Sequence, residues 1–429
     1  MLRRPSGRRK RFSPSAVTLP VPLRSNPEFR ALLAARLTNS LATSALAVVV
    51  AYQTYEISRD PLALGWLGLV EATPALSLAL FGGHVADRRD RRSVVLLASV
   101  AMVACSLLLA LIATNATSYG LLAIFGVIFL TGVAGGFERP ALSAFEAQII
   151  PVEQATVGTS SASTVSLTGS IVGPALGGIA YAVVGAAWTY VFVAALLVVS
   201  TGCLALIPRK AMPVQEASEG TWHSVTLGLR YVFRSRILVS AMALDLFAVL
   251  FGGAMAMLPI FASDILLVGP AGLGLLRTAP SVGALLVMVI ATRRPPSARA
   301  GTTLLACVFG FGLSIIVFAL STNFLLSIAA LFVSGVTDGI SMIIRSVIVR
   351  LASPENLRGR IAAVNWLFVG ASNEIGAFES GVAARLFGVV PSVAIGGVVT
   401  LVVVALVAFA TPELRRLDMR RPIVSPESA

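Results

Sequence analysis

The chain has 429 residues, of which 56% are hydrophobic and only 12% are charged, and its formal net charge is +13. A soluble domain usually has about 25% charged residues, so the composition excludes an ordinary soluble protein and predicts an all-α polytopic membrane protein. The basic residues are concentrated in the N-terminal arm and in alternate links between apolar runs. That distribution encodes membrane orientation and argues against nucleic-acid binding.

The N-terminal arm, residues 1–28, is basic and rich in Pro and Ser. It lacks the apolar stretch of a cleaved signal peptide, so we predict a disordered cytoplasmic tail. Twelve apolar runs follow, each close to the roughly 20 residues that a helix needs to cross a bilayer. They lie at about 33–55, 62–84, 94–114, 119–141, 157–183, 188–207, 237–260, 270–291, 302–321, 324–349, 361–386 and 391–410.

The links between these runs indicate how the chain is oriented. Four of the five links expected inside contain arginine, whereas the six links expected outside contain a single basic residue, Arg59. Basic links stay in the cytoplasm, and an even number of spans returns the chain to its starting side. The sequence therefore predicts a multi-pass protein of the cell (inner) membrane with both termini cytoplasmic.

The longest internal link divides the chain. We predict an N-terminal six-helix bundle over 29–207, a cytoplasmic linker over 208–236, a C-terminal six-helix bundle over 237–410 and a cytoplasmic tail over 411–429. In the linker, Trp222, Val225, Leu229, Val232 and Phe233 recur at helical spacing with arginines on the other faces. This pattern is typical of an amphipathic helix that lies along a membrane surface.

The two halves resemble each other weakly. Residues 150–153, Ile-Pro-Val-Glu after the fourth run, correspond to residues 353–355, Ser-Pro-Glu after the tenth run, and a Gly-rich run follows each. Two six-helix pseudo-repeats are a known transporter plan, in which the substrate site lies near the midplane between the halves.

The link between the second and third runs, residues 82–92, reads Gly-Gly-His-Val-Ala-Asp-Arg-Arg-Asp-Arg-Arg. Its charges exclude it from hydrocarbon, so we predict a tight turn at the membrane surface. Asp87 and Arg91 are four residues apart and could pair side by side on one helical turn.

The fifth run contains a glycine pattern that predicts close helix packing. Gly169, Gly173 and Gly177 are spaced by four, so they share one helix face that a neighbouring helix can approach closely. Pro174 removes a backbone hydrogen bond and is expected to bend the helix.

Ionisable and amide side chains inside apolar runs are costly and mark candidate transport sites. Glu71 lies near the middle of the second run, where removal from water favours the protonated carboxyl group. It is our first candidate for proton coupling; the alternative is a neutral Glu bonded to a neighbouring helix. The candidates for proton coupling or cavity lining are Glu71, Asp245, Arg277, Asp338, Asn365, Asn373, Glu374, Glu379 and Asn39.

Depth in the membrane distinguishes the remaining charges. Asp245 and Arg277 lie at different depths, so we do not expect them to pair with each other. Each then needs another partner or water. Arg36 and Arg345 are expected to reach the inner surface by snorkelling. Glu138, Arg139 and Pro140 lie towards the inner end of the fourth run, where we expect pairing and kinking more than binding.

Three aromatic residues, Trp66, Phe251 and Phe261, are also available to a central cavity. We expect the cavity to mix aromatic and polar surface, which would suit an amphiphilic organic solute better than an inorganic ion.

These motifs resemble a known family. Residues 83–92 are similar to the loop 2–3 signature of the major facilitator superfamily, Gly-x-x-x-Asp-Arg-x-Gly-Arg-Arg, with Asp90 where many members have Gly. Residues 169–178 resemble its antiporter motif, which comprises Gly169, Gly173, Pro174, Gly177 and Gly178. Residues 140–141, 150–151 and 357–360 resemble the drug- and siderophore-exporting branch that contains the enterobactin exporter.

The resemblance implies a fold, a mechanism and roles for particular residues. It implies that Asp87 faces the start of the eleventh span, near Gly359, where the helix dipole favours a carboxylate. The resulting conformational latch would comprise Gly83, Asp87, Arg88, Arg91 and Arg92. It further implies a monomer that exports a small drug-like or siderophore-like solute by alternating access, in exchange for protons.

Other functions are possible for such a chain. A lipid or lysophospholipid flippase of the same fold is the alternative, and a lateral opening between spans would favour it. An enzyme is disfavoured because His84 and His223 are the only histidines and no Ser-His-Asp or metal-ligand spacing occurs. No P-loop is present. We therefore expect no metal or cofactor, a proton gradient as the energy source, and a small-molecule substrate and the lipid bilayer as partners.

Overall fold

The computed structural model describes residues 23–115, 120–211, 221–251, 254–293, 299–354 and 357–417. Across these residues the chain is almost entirely helical and contains no β-strand. Its α-helices are α1 (Pro27–Ser58), α2 (Pro61–Arg88), α3 (Arg91–Thr114), α4 (Gly120–Ile149), α5 (Ala155–Ala205), α6 (Thr221–Arg234), α7 (Arg236–Phe251), α8 (Ala254–Ile260), α9 (Gly269–Arg293), α10 (Ala300–Leu320), α11 (Phe324–Ala352), α12 (Arg358–Phe387), α13 (Val389–Ala410) and α14 (Pro412–Arg415).

Ten helical segments of the described chain are long and apolar enough to cross a membrane. One of them, Val152–Ala205, has 54 residues and contains two crossings, because Gly185 interrupts the helix with a φ of 78°. α12 has 30 residues but is richer in polar side chains, and it provides one more crossing. The predicted all-α polytopic fold with twelve membrane helices is therefore confirmed.

Short polar caps determine where several helices begin. The Asn26 side chain accepts a hydrogen bond from the backbone N–H of Glu28, and Pro27 occupies the first helical position. Asp60 and Pro61 start α2 in the same way. Such caps satisfy N–H groups that have no partner within the helix. They allow α1 and α2 to be joined by only Arg59 and Asp60.

The bundle has two distinct ends. The arginine-rich end contains the start of α1, the turn at Arg89 and Asp90 between α2 and α3, and the end of α4. The opposite end contains the α1–α2 connection and the start of α9. At the arginine-rich end, residues 23–28 of the predicted tail are packed against the protein, since Leu23 is buried and Lys210 Nζ lies 2.6 Å from Glu28 Oε2.

The packing follows the same plan in both halves. In the N-terminal half α1 packs on α5, α2 on α4, and α3 on both α4 and α5. In the C-terminal half α7 packs on α12, α9 on α11, and α10 on both α11 and α13. These are equivalent pairs when each half is counted as six spans, so the structure contains the two predicted pseudo-repeats. The halves meet mainly through α2 with α12 and α5 with α9.

The linker forms the predicted helix, α6. Val232 and Tyr231 are buried against the C-terminal half, and the Tyr231 hydroxyl donates to the carbonyl of Ala352 over 3.1 Å. Phe233, which we assigned to the apolar face, is 63% exposed. The side chains of Trp222 and Val225 lie outside the described residues.

The glycine face of α5 is in close contact with α1. A Cβ atom at Gly169 would lie 2.6 Å from Ser40 Cβ, and one at Gly173 would lie 2.7 Å from the carbonyl oxygen of Leu41. A Cβ atom at Gly177 would lie 2.9 Å from Ala45 Cα. Real Cβ atoms do not approach backbone atoms so closely, so the absence of a side chain allows the two helices to touch.

We expect Gly173→Ala to destabilise the protein by about 1 to 3 kcal/mol, the usual cost of overfilling a packed site. Gly202→Ala is the matched control on the same helix, because its Cβ would have no atom within 4 Å. Alanine favours a helix over glycine, so the control should be neutral or stabilising. The measurement is the thermal unfolding midpoint of each purified variant in one detergent. Equal midpoints for the two variants would show that the α1–α5 contact does not limit stability.

Candidate functional site

A central cavity of about 580 Å³ lies between the two halves. It extends from Arg36 and Ser143, near the arginine-rich end, to Glu71 and Arg277 in the middle of the bundle. Its wall is formed by α1, α2, α3 and α4 of the N-terminal half and by α8, α9 and α12 of the C-terminal half. The cavity therefore has the position expected for a substrate site between two pseudo-repeats.

The opposite end of the bundle is closed by contacts between backbones. A Cβ at Gly381 of α12 would lie 2.9 Å from the Cα of Gly65 on α2. A Cβ at Gly178 of α5 would lie 2.3 Å from the carbonyl oxygen of Pro270 on α9. Side chains cannot fit into either contact, so the two halves are pressed together at this end.

Polar contacts lie above this closure. The Tyr55 hydroxyl lies 2.5 Å from Asp264 Oδ2, and Arg59 Nη1 lies 3.2 Å from Asp264 Oδ1. Arg385 Nη1 lies 3.4 Å from Asp60 Oδ2. Each contact joins one half to the other. We name these three contacts the gate. The closed gate leaves the cavity directed towards the arginine-rich end.

Four charged side chains form a cluster in the middle of the cavity. Glu71 and Arg139 come from the N-terminal half, and Arg277 and Glu374 come from the C-terminal half. Arg277 interacts electrostatically with both Glu71 and Glu374, and Arg139 interacts with the same two carboxylates. We name these four residues the central charge cluster. Because it contains both signs and members of both halves, it connects the halves through charge.

Gly68 gives the cluster its geometry. A Cβ atom at Gly68 would lie 2.8 Å from Glu374 Oε2, so the Glu374 carboxyl group lies directly against α2. Glu71 is three residues further along, on the same face of that helix. The missing side chain at Gly68 thus allows a carboxyl group from α12 to lie beside one from α2.

Two other charges of the cavity have partners within the N-terminal half. Arg36 forms a salt bridge with Glu146 of α4. Glu138 is 5% exposed and accepts from Asn39 Nδ2 over 3.4 Å and from Ser99 Oγ over 3.5 Å. Arg36 therefore has an ionic partner, and Glu138 accepts from two neutral donors. Its neighbour Arg139 belongs to the central charge cluster, so the expectation that these residues serve pairing more than binding stays a prediction. Arg36 was expected to snorkel, but its partner lies on a neighbouring helix.

The cavity contains some of the predicted lining residues. Asn39 and Thr43 line it from α1, and Asn373 lines it from α12. Asn365 and Glu379 are half-buried and are not among its lining residues.

The expected aromatic surface is wrong for this cavity, because all three aromatic residues are engaged elsewhere. Phe261 is fully buried, with its ring centroid 4.5 Å from that of Phe318. Trp66 packs edge-on against Phe378 at 4.8 Å, and Phe251 stacks on a neighbour in its own helix. Aliphatic side chains such as Leu46, together with the charges and amides, form the wall instead.

Asp245 and Arg277 do not pair, as their depths predicted, and Asp245 has another partner. It forms a salt bridge with Arg345 of α11, whose Nη2 also lies 3.4 Å from Asp338 Oδ1. Only 13% of the Arg345 side chain is exposed, so it is buried in the half and does not snorkel. Periodicity could not reveal this pair, because it requires knowing which faces of α7 and α11 meet.

The predicted latch residues have local roles in the described structure. Arg91 Nη1 donates to the carbonyl of Ala144 over 3.0 Å, and Arg92 Nε donates to the carbonyl of Ile207 over 2.7 Å. Arg88 is exposed and Gly83 is half-buried. Arg91 and Arg92 thus bind carbonyl groups near the ends of α4 and α5, in their own half.

The pairing that we predicted for Asp87 and Arg91 falls where one helix ends and the next begins. α2 ends at Arg88 and α3 begins at Arg91, so Asp87 and Arg91 do not share one helical turn. The side chain of Asp87 lies outside the described residues, and the burial of Gly359 is not described either. The latch remains a prediction.

We expect Arg277→Gln to destabilise the protein, because Glu71 and Glu374 would lose a shared cation. Removing one partner of a buried pair costs about 3 to 5 kcal/mol, and a smaller loss is expected here because Glu71 is exposed to the cavity. The double variant Arg277→Gln/Glu374→Gln should recover part of this loss. Thermal unfolding of the three proteins in detergent measures it, and a double variant less stable than Arg277→Gln would contradict the cluster.

Comparisons with known proteins are consistent in family and fold. The family model described as Major Facilitator Superfamily matches residues 32–376. The enterobactin exporter EntS of Salmonella typhi is 26% identical over 406 residues, covering 94% of this chain and 96% of that protein. EntS of Shigella flexneri is 26% identical over 408 residues, with the same coverage.

Solved structures share the fold at lower identity. A variant of the nucleoside transporter NupG has a TM-score of 0.68 at 16% identity, covering 91% of this chain and 100% of that chain. A bacterial homologue of the human lysosomal transporter Spinster, in an inward-facing and unoccupied conformation, has a TM-score of 0.68 at 15% identity, covering 94% of this chain and 99% of that chain.

Proposed function

The chain belongs to the major facilitator superfamily, and we propose that it exports a small amphiphilic organic solute, drug-like or siderophore-like, in exchange for protons. Membership of this superfamily makes it a multi-pass membrane transporter and not an enzyme. The observation that carries the proposal is the central charge cluster, in which ionisable groups of both halves meet inside a cavity. Ionisable residues at this depth are expensive to maintain and mark transport pathways.

The solute class follows from the cavity wall. The cavity has room for an organic molecule, and its wall combines aliphatic side chains with Asn39, Asn373 and the charge cluster. Such a surface suits a molecule with apolar and hydrogen-bonding parts. The curated relatives are named for enterobactin export, and a siderophore of that kind is the first solute to test. A lipid flippase remains the alternative for the same fold, but six charged lining residues make a poor path for acyl chains.

Proton exchange rests on the two carboxyl groups beside Arg277. When Glu71 and Glu374 are ionised, their attraction to the arginine holds the halves together around the middle of the cavity. Protonation removes negative charge and weakens that attraction, so the halves separate more readily. A bound solute that interacts with the ionised carboxylates competes with the protons, and this competition couples the two movements.

Alternating access rests on the gate. In the conformation described above the gate is closed and the cavity is directed towards the arginine-rich end, which basic residues assign to the cytoplasm. Export then requires the gate to open after the arginine-rich end has closed. The central charge cluster and the gate are both formed by this one chain, which supports the proposal that the transporting unit is a monomer.

We expect Glu71→Gln to abolish proton coupling, because the amide cannot exchange a proton while it keeps the shape of the carboxyl group. The measurement is uptake of labelled enterobactin into inverted vesicles with a pH gradient imposed and then collapsed by an ionophore. Wild-type uptake should fall on collapse, whereas uptake by Glu71→Gln should be low and insensitive to the gradient. Glu379→Gln is the matched control, since Glu379 lies on α12 outside the cavity lining, and it should behave as wild type.

Proton exchange would be wrong if wild-type uptake were unaffected by collapse of the gradient. Saturable enterobactin uptake that does not depend on the gradient would support export but contradict the exchange for protons.

We expect a covalent link across the gate to stop transport. Asp60→Cys/Arg385→Cys, made in a background with the three native cysteines replaced, can be joined by a cleavable bifunctional thiol reagent because the native side chains lie within 3.4 Å. Linking should abolish enterobactin uptake, and cleavage should restore it. Each single-cysteine variant treated with the same reagent is the control. Undiminished uptake by fully linked protein would show that the gate does not need to open.

A further inference from the structure

A second cavity, of about 280 Å³, lies inside the C-terminal half, and we name it the side pocket. Residues of α7, α9, α10 and α11 form most of its wall. Met255, Ala256, Asn373 and Ala377 line both the side pocket and the central cavity. The two spaces are therefore adjacent, and one arm of a solute in the central cavity can enter the side pocket.

Most of the wall of the side pocket is apolar. Val249, Pro280, Val308, Phe311 and Ile315 supply aliphatic and aromatic surface. This surface would remove an apolar arm from water, with a gain of about 25 cal/mol for each Å² that is buried. The aromatic component that the sequence led us to expect in the central cavity is thus present in the side pocket, through Phe311.

One part of the wall is ionic, and its charges are unequal. Asp245, Asp338 and Arg345 are the charged residues that line the side pocket. Arg345 forms a salt bridge with Asp245, and only 13% and 10% of these two side chains are exposed. Asp338 lies 3.4 Å from the same guanidinium group but is 50% exposed. One guanidinium group lies beside two carboxylates, so Asp245, Asp338 and Arg345 together have a net negative charge when all three are ionised. Asp338 exposes this negative charge to the pocket.

We propose that the side pocket binds a protonated amine on an apolar arm of the transported solute, with Asp338 as its counter-ion. This inference rests on the proposed export function and adds amphiphilic organic amines to the solutes that the transporter accepts. An ammonium group would place a positive charge where the set lacks one, and it would donate charge-assisted hydrogen bonds to the Asp338 carboxylate. An anionic arm would instead meet a carboxylate whose only neighbouring cation is already paired with Asp245.

The same geometry makes amine binding and protonation of Asp338 mutually exclusive. A proton on Asp338 removes the excess negative charge that attracts the amine. The other titratable groups that line the pocket are Asp245 of α7, Arg345 of α11 and Cys307 of α10, while α9 and α12 contribute the neutral side chains of Ser281 and Asn373. Asp338 is therefore a second point at which solute and proton compete, separate from the central charge cluster.

The test uses naphthylmethylamine, which is fluorescent and positively charged at neutral pH, and its neutral counterpart naphthylmethanol. Each probe is titrated into the purified full-length protein in detergent, and binding is followed by fluorescence anisotropy. We expect the amine to bind wild type, and its affinity to fall at least about tenfold in Asp338→Asn, since a hydrogen bond between charged groups is worth more than a neutral one. The affinity for the alcohol should change little.

Two further variants protect the test against misfolding. Glu379→Gln removes a half-buried carboxyl group outside both cavities and should bind the amine as wild type does. Ala284→Leu partly fills the side pocket without touching its charges, and it should weaken binding of the amine and of the alcohol alike. The thermal unfolding midpoint of every variant is recorded in the same detergent.

The proposal is overturned if the amine binds wild type and Asp338→Asn equally, if the alcohol binds as tightly as the amine, or if wild type binds neither probe. These outcomes are distinguishable from failure of the proposed function, because they do not involve a pH gradient. If enterobactin uptake depends on the gradient but amine binding does not depend on Asp338, the amine site in the side pocket is contradicted and the proposed export function stands. If amine binding depends on Asp338 but uptake does not depend on the gradient, the amine site is supported and proton exchange through the central charge cluster is contradicted.

Discussion

Contact between glycine backbones at one end of the bundle is the constraint on which the rest of the structure depends. Gly65 with Gly381, and Gly178 with Gly274, allow helices of the two halves to approach until their backbones touch. Lipid provides no hydrophobic force between helices, so close van der Waals contact of this kind is what holds them together. Because the halves are joined at one end, the space between them is a cavity with a single direction of access.

The closure also explains where charge can be tolerated. Glu71, Arg277 and Glu374 lie just inside it, at a depth where an isolated ion would be prohibitively costly. Their mutual attraction reduces that cost, and their exposure to the cavity reduces it further. The contact between Glu374 and Gly68 shows that the glycine pattern of α2 positions a carboxyl group as well as a backbone. Packing and electrostatics are therefore not separable here, since the same helix face provides both.

Much of this architecture could be predicted from the sequence, because a membrane imposes a simple length rule. Apolar runs of about 20 residues located the spans, and the superfamily resemblance carried by residues 83–92 and 169–178 is confirmed by the family match. Pairing was harder to predict, because it depends on which helix faces meet. Asp245 was correctly separated from Arg277, yet nothing in the spacing pointed to Arg345. The pairing of Asp87 with Arg91 stays a prediction, because the side chain of Asp87 lies outside the described residues.

The two halves contain ion pairs at equivalent spans, but the positive and negative residues are exchanged. In the N-terminal half Arg36 of the first span pairs with Glu146 of the fourth, and in the C-terminal half Asp245 of the first span pairs with Arg345 of the fourth. The signs are reversed between the repeats.

Each half also contains one additional carboxyl group near its pair, and the two have different environments. Glu138 is almost fully buried and accepts hydrogen bonds from Asn39 and Ser99. Asp338 is half exposed and faces an apolar pocket. Asp338 shares the Arg345 guanidinium group with Asp245, so its exposed carboxylate has more to gain from a cationic ligand than the buried carboxylate of Glu138 has. The repeat with the open carboxylate is therefore the one in which the proposed amine would find a partner.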